Sequence, residues 1–335
     1  MKRLLVTGGA GFIGSNYVRY MLDTYPDYRI TVLDALTYAG NLDNFHDLWS
    51  NPNFQFFQGR IEDATVVDNL ARNVDAIVNF AAESHNDRAI LDPETAARSN
   101  FNGVLVLLEA ARRFGHERFL QVSTDEVYGS TSDVFREGDP LEPNQPYSAA
   151  KAGGELLVRS YNVTFGLPTI VTRGSNTYGP YHYPEKLIPL FVTKAIDGEA
   201  LPVYGDGKQV REWMYVVDHA KGIDLAFHKG TPGEIYNVGS GVHRYNIDVT
   251  KLILQYLGKP EDLIHYVKDR PGHDRRYSMD CSKIRSLGFQ PDENFEKRLE
   301  EVVRWYVDNQ EWWRKIKEKQ VEYRAFLDKW YADRK

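Results

Sequence analysis

The sequence predicts an α/β protein built on a doubly wound parallel sheet, with a smaller C-terminal substrate-binding domain. Three observations carry this: a glycine-rich turn between a first apolar strand and an amphipathic helix, an acid about twenty residues beyond that turn, and strands that alternate with helices through the first half.

The run Arg3-Leu4-Leu5-Val6-Thr7 is short and β-prone, and Gly8-Gly9-Ala10-Gly11-Phe12-Ile13-Gly14 turns it into a helix over Ser15 to Leu22. Strand, glycine turn and helix in that order bring backbone NH groups and the positive helix end up to a pyrophosphate. Glycines that only pack helix on strand look the same in isolation, so the context carries the argument. The next strand, Arg29 to Leu33, ends at Asp34, placed to accept hydrogen bonds from a ribose diol. A carboxylate there repels a 2′-phosphate, which favours NAD over NADP. Asn53 to Phe57 and Asp75 to Phe80 read as strands around a helix over Ala64 to Asn73, and Pro93 to Arg113 as one long helix. Ala81-Ala82-Glu83-Ser84-His85 follows the fourth strand, where small residues let a dinucleotide lie against the backbone. His85 has no Cys or His partner at metal-ligand spacing, so it reads as a hydrogen-bonded structural residue and no metal site is expected.

The 335 residues suffice for a dinucleotide-binding domain over 1–173 and a second domain over 174–335, mainly for substrate, with a helical C-terminal segment. A formal net charge of -6 speaks against nucleic acid or an acidic membrane surface as bulk partner, and no apolar run approaches a membrane span. The lone Cys281 excludes an intrachain disulfide, and Met1 to Thr7 enters a strand without a signal peptide, so a cytoplasmic location is expected.

The run Arg118 to Val122 reads as a buried strand that opens into Ser123-Thr124-Asp125-Glu126-Val127-Tyr128. In open parallel sheets ligands bind at that carboxyl end. Most Asp-Glu pairs are solvated loop residues; here the two acids stand where one can give a proton and the other remove one, if burial drives their pKa values apart. Further on, Tyr147 and Lys151 lie four apart on a helix that begins near Tyr147, so they share a face and the ammonium can lower the phenol's pKa. A phenolate so placed takes the proton of an alcohol as hydride leaves the same carbon.

The Gly8 to Gly14 turn, Asp34, and Tyr147 with Lys151 resemble the extended short-chain dehydrogenase/reductase family. Ala81 to His85, Ser123 to Gly129, Tyr178-Gly179-Pro180, Pro184-Glu185-Lys186-Leu187-Ile188-Pro189 and Arg270-Pro271-Gly272-His273-Asp274 narrow the resemblance to its dTDP-glucose 4,6-dehydratase branch, over residues 2 to about 310. The resemblance implies a Rossmann domain holding NAD through Gly8, Gly11, Phe12, Ile13, Gly14, Asp34, Thr37, Arg60, Ile61, Phe80, Ala81, Ala82, Ser84, Ser99, Tyr147, Lys151 and Thr177. It also implies a redox-neutral dehydration. Tyr147, with Thr124 and Lys151, takes the C4 hydroxyl proton as hydride passes to NAD; Glu126 removes the C5 proton; Asp125 protonates the departing C6 hydroxyl; the hydride returns to C6 and a proton to C5. On the same footing Ser84, Thr124, Asn176, Lys186 and Leu187 lie along the nucleotide sugar, Pro202 and Tyr204 near its base and Arg211 at its diphosphate, with Asn246, Arg270 and His273 completing the site.

Asn294 to Lys335 is helical in periodicity and rich in aromatics, a packing face or a partner surface. Relatives dimerise through two helices, here Pro93 to Arg113 and Tyr147 to Phe165, so a homodimer is expected. The chain departs from the family pattern at Arg60, where an adenine-binding Asp is usual, at Thr177 for Asn, Gly174 for Cys and Asn86 for Val. A 4-epimerase would use Tyr147 and NAD without needing Asp125 and Glu126. A non-catalytic NAD-sensing scaffold would have lost some of these groups, and a UDP- or CDP-sugar dehydratase differs only in its base contacts.

Overall fold

Leu4 and Val6 of the first strand, β1 (Arg3–Thr7), bury in one core layer and Leu5 in the other, and the same alternation repeats along the strands beside it. Burial on both faces is the property of a parallel sheet covered by helices on each side. The computed structural model describes residues 2–130, 133–269, 276, 278–319 and 330. After β1 come α1 (Phe12–Thr24), β2 (Arg29–Asp34), β3 (Phe54–Gln58), α2 (Ala64–Ala71), β4 (Ala76–Asn79), α3 (Asn86–Leu91), α4 (Pro93–Ala97) and α5 (Val104–Phe114). Then follow β5 (Arg118–Thr124), α6 (Pro146–Phe165), β6 (Thr169–Gly174), β7 (Asn176–Tyr178), α7 (Leu187–Asp197), β8 (Leu201–Tyr204), β9 (Val210–Tyr215), α8 (Val216–Lys229) and β10 (Ile235–Val238). The chain goes on through β11 (His243–Tyr245), α9 (Asn246–Leu257), β12 (Ile264–Val267), α10 (Ser282–Ser286), α11 (Phe295–Asp308) and α12 (Gln310–Lys319).

The main sheet has the order β10-β6-β5-β4-β1-β2-β3, and every pairing in it is parallel. Helices α1 and α8 cover one face; α2, α5 and α6 cover the other. Strand order reverses between β1 and β4, which opens a crevice at their carboxyl ends. The last strand of this sheet comes from residues 235–238, so the chain leaves the Rossmann layer after Gly174 and re-enters it before the smaller lobe is complete. That lobe is built on the three-strand sheet β11-β9-β7 and the pair β12-β8, and α7, α9, α11 and α12 close a separate core.

The aromatics of the C-terminal helices fill that core: Phe295, Tyr306, Trp312 and Trp313 are buried, and Trp312 Nε1 donates to Asn44 Oδ1 at 2.9 Å, tying the lobe to the Rossmann layer. Beyond Lys319 only Trp330 falls within the described residues. The helix expected over Pro93 to Arg113 is interrupted by a π-helical turn, Arg98–Gly103. At that turn Asn100 reaches back and clamps the loop after β4, its Oδ1 accepting from the Glu83 NH and its Nδ2 donating to the Glu83 carbonyl, each at 3.0 Å. On α6, Gly153 and Gly154 let that turn approach closely, since a Cβ at Gly154 would stand 2.5 Å from the Asn100 carbonyl oxygen. Among the described residues no helix is long and apolar enough to cross a membrane.

Candidate active site

At the strand reversal the exits of β1 and β4 touch. Gly8 takes a φ of +69°, and a Cβ there would stand 2.5 Å from the Ala81 nitrogen, so only glycine fits. A Cβ at Gly14 would stand 2.3 Å from the Gly8 carbonyl oxygen, which holds the start of α1 against the turn. Asp34, at the end of β2, is buried; Oδ2 accepts from the Ala10 NH at 2.9 Å and Oδ1 from the Leu36 NH at 2.8 Å. Burial pushes its carboxyl above the ordinary value, and those two NH groups oppose the rise.

One cleft of about 330 Å³ runs from this turn to the ends of β5 and β6. Every candidate cofactor residue lines it, from Gly8 to Thr177 and including Thr37, Arg60, Ile61, Phe80, Ala82 and Ser99, and so do Ser84, Thr124, Asp125, Glu126, Asn176, Lys186 and Leu187. The residues present thus fit a dinucleotide: a turn stripped of side chains, an NH-rich helix start and a buried acid. Pro202 and Tyr204 on β8, Arg211 on β9 and Asn246 at the start of α9 stand outside this cleft wall, while Arg270 and His273 lie outside the described residues.

Thr124 caps the short 3₁₀ turn Asp125–Tyr128: its Oγ1 accepts from the Glu126 NH at 3.3 Å and donates to Asp125 Oδ1 at 3.2 Å. Below the turn, the Tyr128 hydroxyl donates to Asn237 Oδ1 at 2.8 Å and accepts from Arg173, whose guanidinium is held by Glu155 in a buried ion pair of 2.6 Å. The two neighbouring acids therefore sit on a fixed backbone in unlike settings. Asp125 is buried, and desolvation, then the Glu126 and Glu212 charges, push its carboxyl well above the ordinary range, against the pull of Arg211. Glu126 is half-buried, and its Oε2 accepts from Asn86 Nδ2 at 2.6 Å. The two acids thus differ in burial, in partners and in the charges around them.

Tyr147 enters at the first turn of α6, where Pro146 and a Gln145–Ser148 capping box start the helix, and Lys151 follows one turn on. Both are buried. The expectation that Lys151 draws the phenol's pKa down is not met: desolvation, then the Glu126 and Asp125 charges, push Tyr147 upward, with a hydrogen bond from Thr124 opposing. Lys151 instead spends its Nζ on the Val122 carbonyl at 2.7 Å, and burial lowers its own pKa to about 8.

Several cleft residues escape sequence reasoning. His219 on α8 lines the cleft beside Gly174, where an added Cβ would stand 2.5 Å from the imidazole Cε1, and its Nδ1 is 2.8 Å from Thr177 Oγ1. Gly174 and Thr177, two of the departures from the family pattern, thus both answer to His219, which burial keeps neutral with a pKa lowered to about 3. His182 stacks on Phe12 with ring centroids 4.0 Å apart, and Glu185 joins Arg88 at 2.9 Å and approaches His85 Nε2 at 4.0 Å. The fourth departure, Asn86, meets Glu126. Only Arg60 has no such contact; its side chain lines the exposed rim without a hydrogen bond or ion pair among the described residues.

Residues 5–302 match the family model described as GDP-mannose 4,6 dehydratase. The chain is 52% identical to the low-salt glycan biosynthesis protein Agl12 of Haloferax volcanii, over 92% of this chain and 99% of that one. It is 49% identical to a dTDP-glucose 4,6-dehydratase of Streptomyces antibioticus, over 94% and 96% of the two chains. The crystal structure of DesIV, a dTDP-glucose 4,6-dehydratase of Streptomyces venezuelae with NAD bound, superposes with a TM-score of 0.92 at 49% identity, covering 94% of this chain and 99% of that one.

Proposed function

The chain belongs to the dTDP-glucose 4,6-dehydratases of the extended short-chain dehydrogenase/reductase family, and from that membership we propose that it is a lyase converting dTDP-glucose to dTDP-4-keto-6-deoxyglucose with NAD as cofactor. One observation carries the reading: a buried Asp125, whose carboxyl burial pushes well above the ordinary range, beside a half-buried, amide-bonded Glu126, in the same cleft as Tyr147 and Lys151. An epimerase has no use for this pair.

NAD, when bound, would take hydride from C4 and give the same hydride back at C6, where a proton returned to C5 completes the product. The Gly8 to Gly14 turn and the start of α1 hold its diphosphate, Asp34 its ribose diol, and Arg60, Ile61 and Ser99 line the adenine end. Tyr147 takes the proton of the C4 hydroxyl, helped by Thr124, and Lys151 fixes the helix that carries the phenol to β5. Once C4 is a ketone the C5 proton is acidic; Glu126 removes it while Asp125 gives its proton to the C6 hydroxyl, which leaves as water. Lys186, Leu187, Asn176 and Ser84 hold the sugar, and Pro202 and Tyr204 the base. Arg211 is assigned to the diphosphate, whose charge its guanidinium suits. The assembly in this reading is a homodimer through α5 and α6, whose Leu105, Leu156, Val163 and Phe165 are exposed, and a cytoplasmic setting accords with a single cysteine.

The test is incubation of the purified protein with dTDP-glucose, then with UDP- and CDP-glucose, read by mass spectrometry and proton NMR. Loss of one water with a new C6 methyl supports the reading. An unchanged mass with inverted C4 would replace it with epimerisation.

A further inference from the structure

We infer that Asn86 is a positioning residue for the elimination step, its amide holding the Glu126 carboxylate in the orientation that takes the C5 proton; this rests on the dehydratase reading above. Asn86 is 4% exposed, and its Nδ2 donates to Glu126 Oε2 at 2.6 Å. Among the described residues that is the side chain's sole hydrogen bond, and the sole partner of the Glu126 carboxylate. An asparagine in the first turn of a helix ordinarily serves its own backbone. This one makes no bond to α3, although it is that helix's first residue, so helix capping does not account for it.

The geometry on either side explains how so small a group can set an orientation. The backbone of Glu126 is locked by the Thr124 cap and by Tyr128 beneath, which leaves only the side-chain torsions free. The residue next to Asn86 is tied to the smaller lobe: Asp87 Oδ2 accepts from the Tyr204 hydroxyl at 3.3 Å, and that hydroxyl accepts from Trp330 Nε1 at 2.7 Å. A buried amide facing a carboxylate can only donate, and its direction fixes where the accepting oxygen stands. A valine at this place would fill the space and donate nothing.

A residue that orients Glu126 acts first on C5 proton removal, the step after C4 oxidation. The holoenzyme and its Asn86→Leu and Asn86→Asp variants are compared for kcat, KM, NAD content, thermal unfolding, and the fraction of nicotinamide in the reduced form during turnover of dTDP-glucose. Asn86→Asp is nearly isosteric and keeps the test alive if the leucine variant fails to fold. The expected result is a kcat reduced roughly 10- to 100-fold, the range of a hydrogen bond to a charged group, with KM within about threefold, NAD content unchanged and reduced nicotinamide accumulating. A larger isotope effect with substrate deuterated at C5 belongs to the same outcome. A kcat like that of the unsubstituted enzyme, or a lower kcat with no rise in reduced nicotinamide, overturns the inference while the dehydratase reading stands. Absence of dehydration by the unsubstituted enzyme overturns both.

Discussion

Lys151 Nζ donates to the carbonyl oxygen of Val122 at 2.7 Å, joining the helix that carries Tyr147 to the strand that carries Asp125 and Glu126. The contact lies near the end of a buried strand, so the ammonium is desolvated and its pKa falls to about 8. The lysine locks the two halves of the catalytic constellation together at a cost in stability.

That cost has a pH signature. Below pH 8 Lys151 is charged in both folded and unfolded chains, and the desolvation penalty is fully present. Between about 8 and 10.5 the folded state has lost the proton that the unfolded state keeps, so stability rises with pH. Relative to Lys151→Met, the unsubstituted protein should gain about 3 kcal/mol of unfolding free energy across that window. Urea unfolding of both at several pH values measures it; parallel curves would contradict the assignment.

Asp125→Asn should separate chemistry from stability. Its buried carboxyl has a folded pKa raised above the unfolded one, so the stability it contributes is present in acid and lost as pH rises. The variant should melt higher than the unsubstituted protein at pH 7 and alike below about pH 3. Its kcat should fall by about 10²- to 10⁴-fold, with reduced nicotinamide building up because elimination has lost its acid.

Gly174→Ala should destabilise the fold by about 1–3 kcal/mol, because the new Cβ would stand 2.5 Å from the buried His219 ring. Truncating the ring in Gly174→Ala with His219→Ala should recover part of the loss. Urea unfolding of the four proteins in the cycle gives the coupling directly.

At the other end of the cleft, Arg60→Ala should weaken NAD binding by about 2- to 5-fold, the range of an exposed guanidinium on an aromatic face. The fraction of protein carrying NAD after gel filtration, and a fluorescence titration of the stripped protein, read it out.

What the sequence discloses and what it conceals follow from range. The glycine turn, Asp34 and the strands of the first half are legible because alternation and turn chemistry are local, and β1 begins and ends where the pattern places it. The π-helical turn is not, since apolar periodicity runs through it and Asn100 within it reaches back to Glu83. Nor is the meaning of Gly174 and Thr177, because His219 arrives from a helix more than forty residues later. The upward push on the Tyr147 pKa is not legible from spacing, because its causes are burial and the Glu126 and Asp125 charges brought up by another element. Tyr204 and Arg211 show the same limit from the other side: their residue types suit a nucleotide, while only the folded chain shows them set back from the cleft wall.

The most direct test of the central claim uses dTDP-glucose deuterated at C4. The account predicts a 4-keto-6-deoxy product with the deuterium in its C6 methyl group, carried there within one active site. Deuterium retained at C4 of an unoxidised sugar, or a methyl group formed without it, would contradict the account.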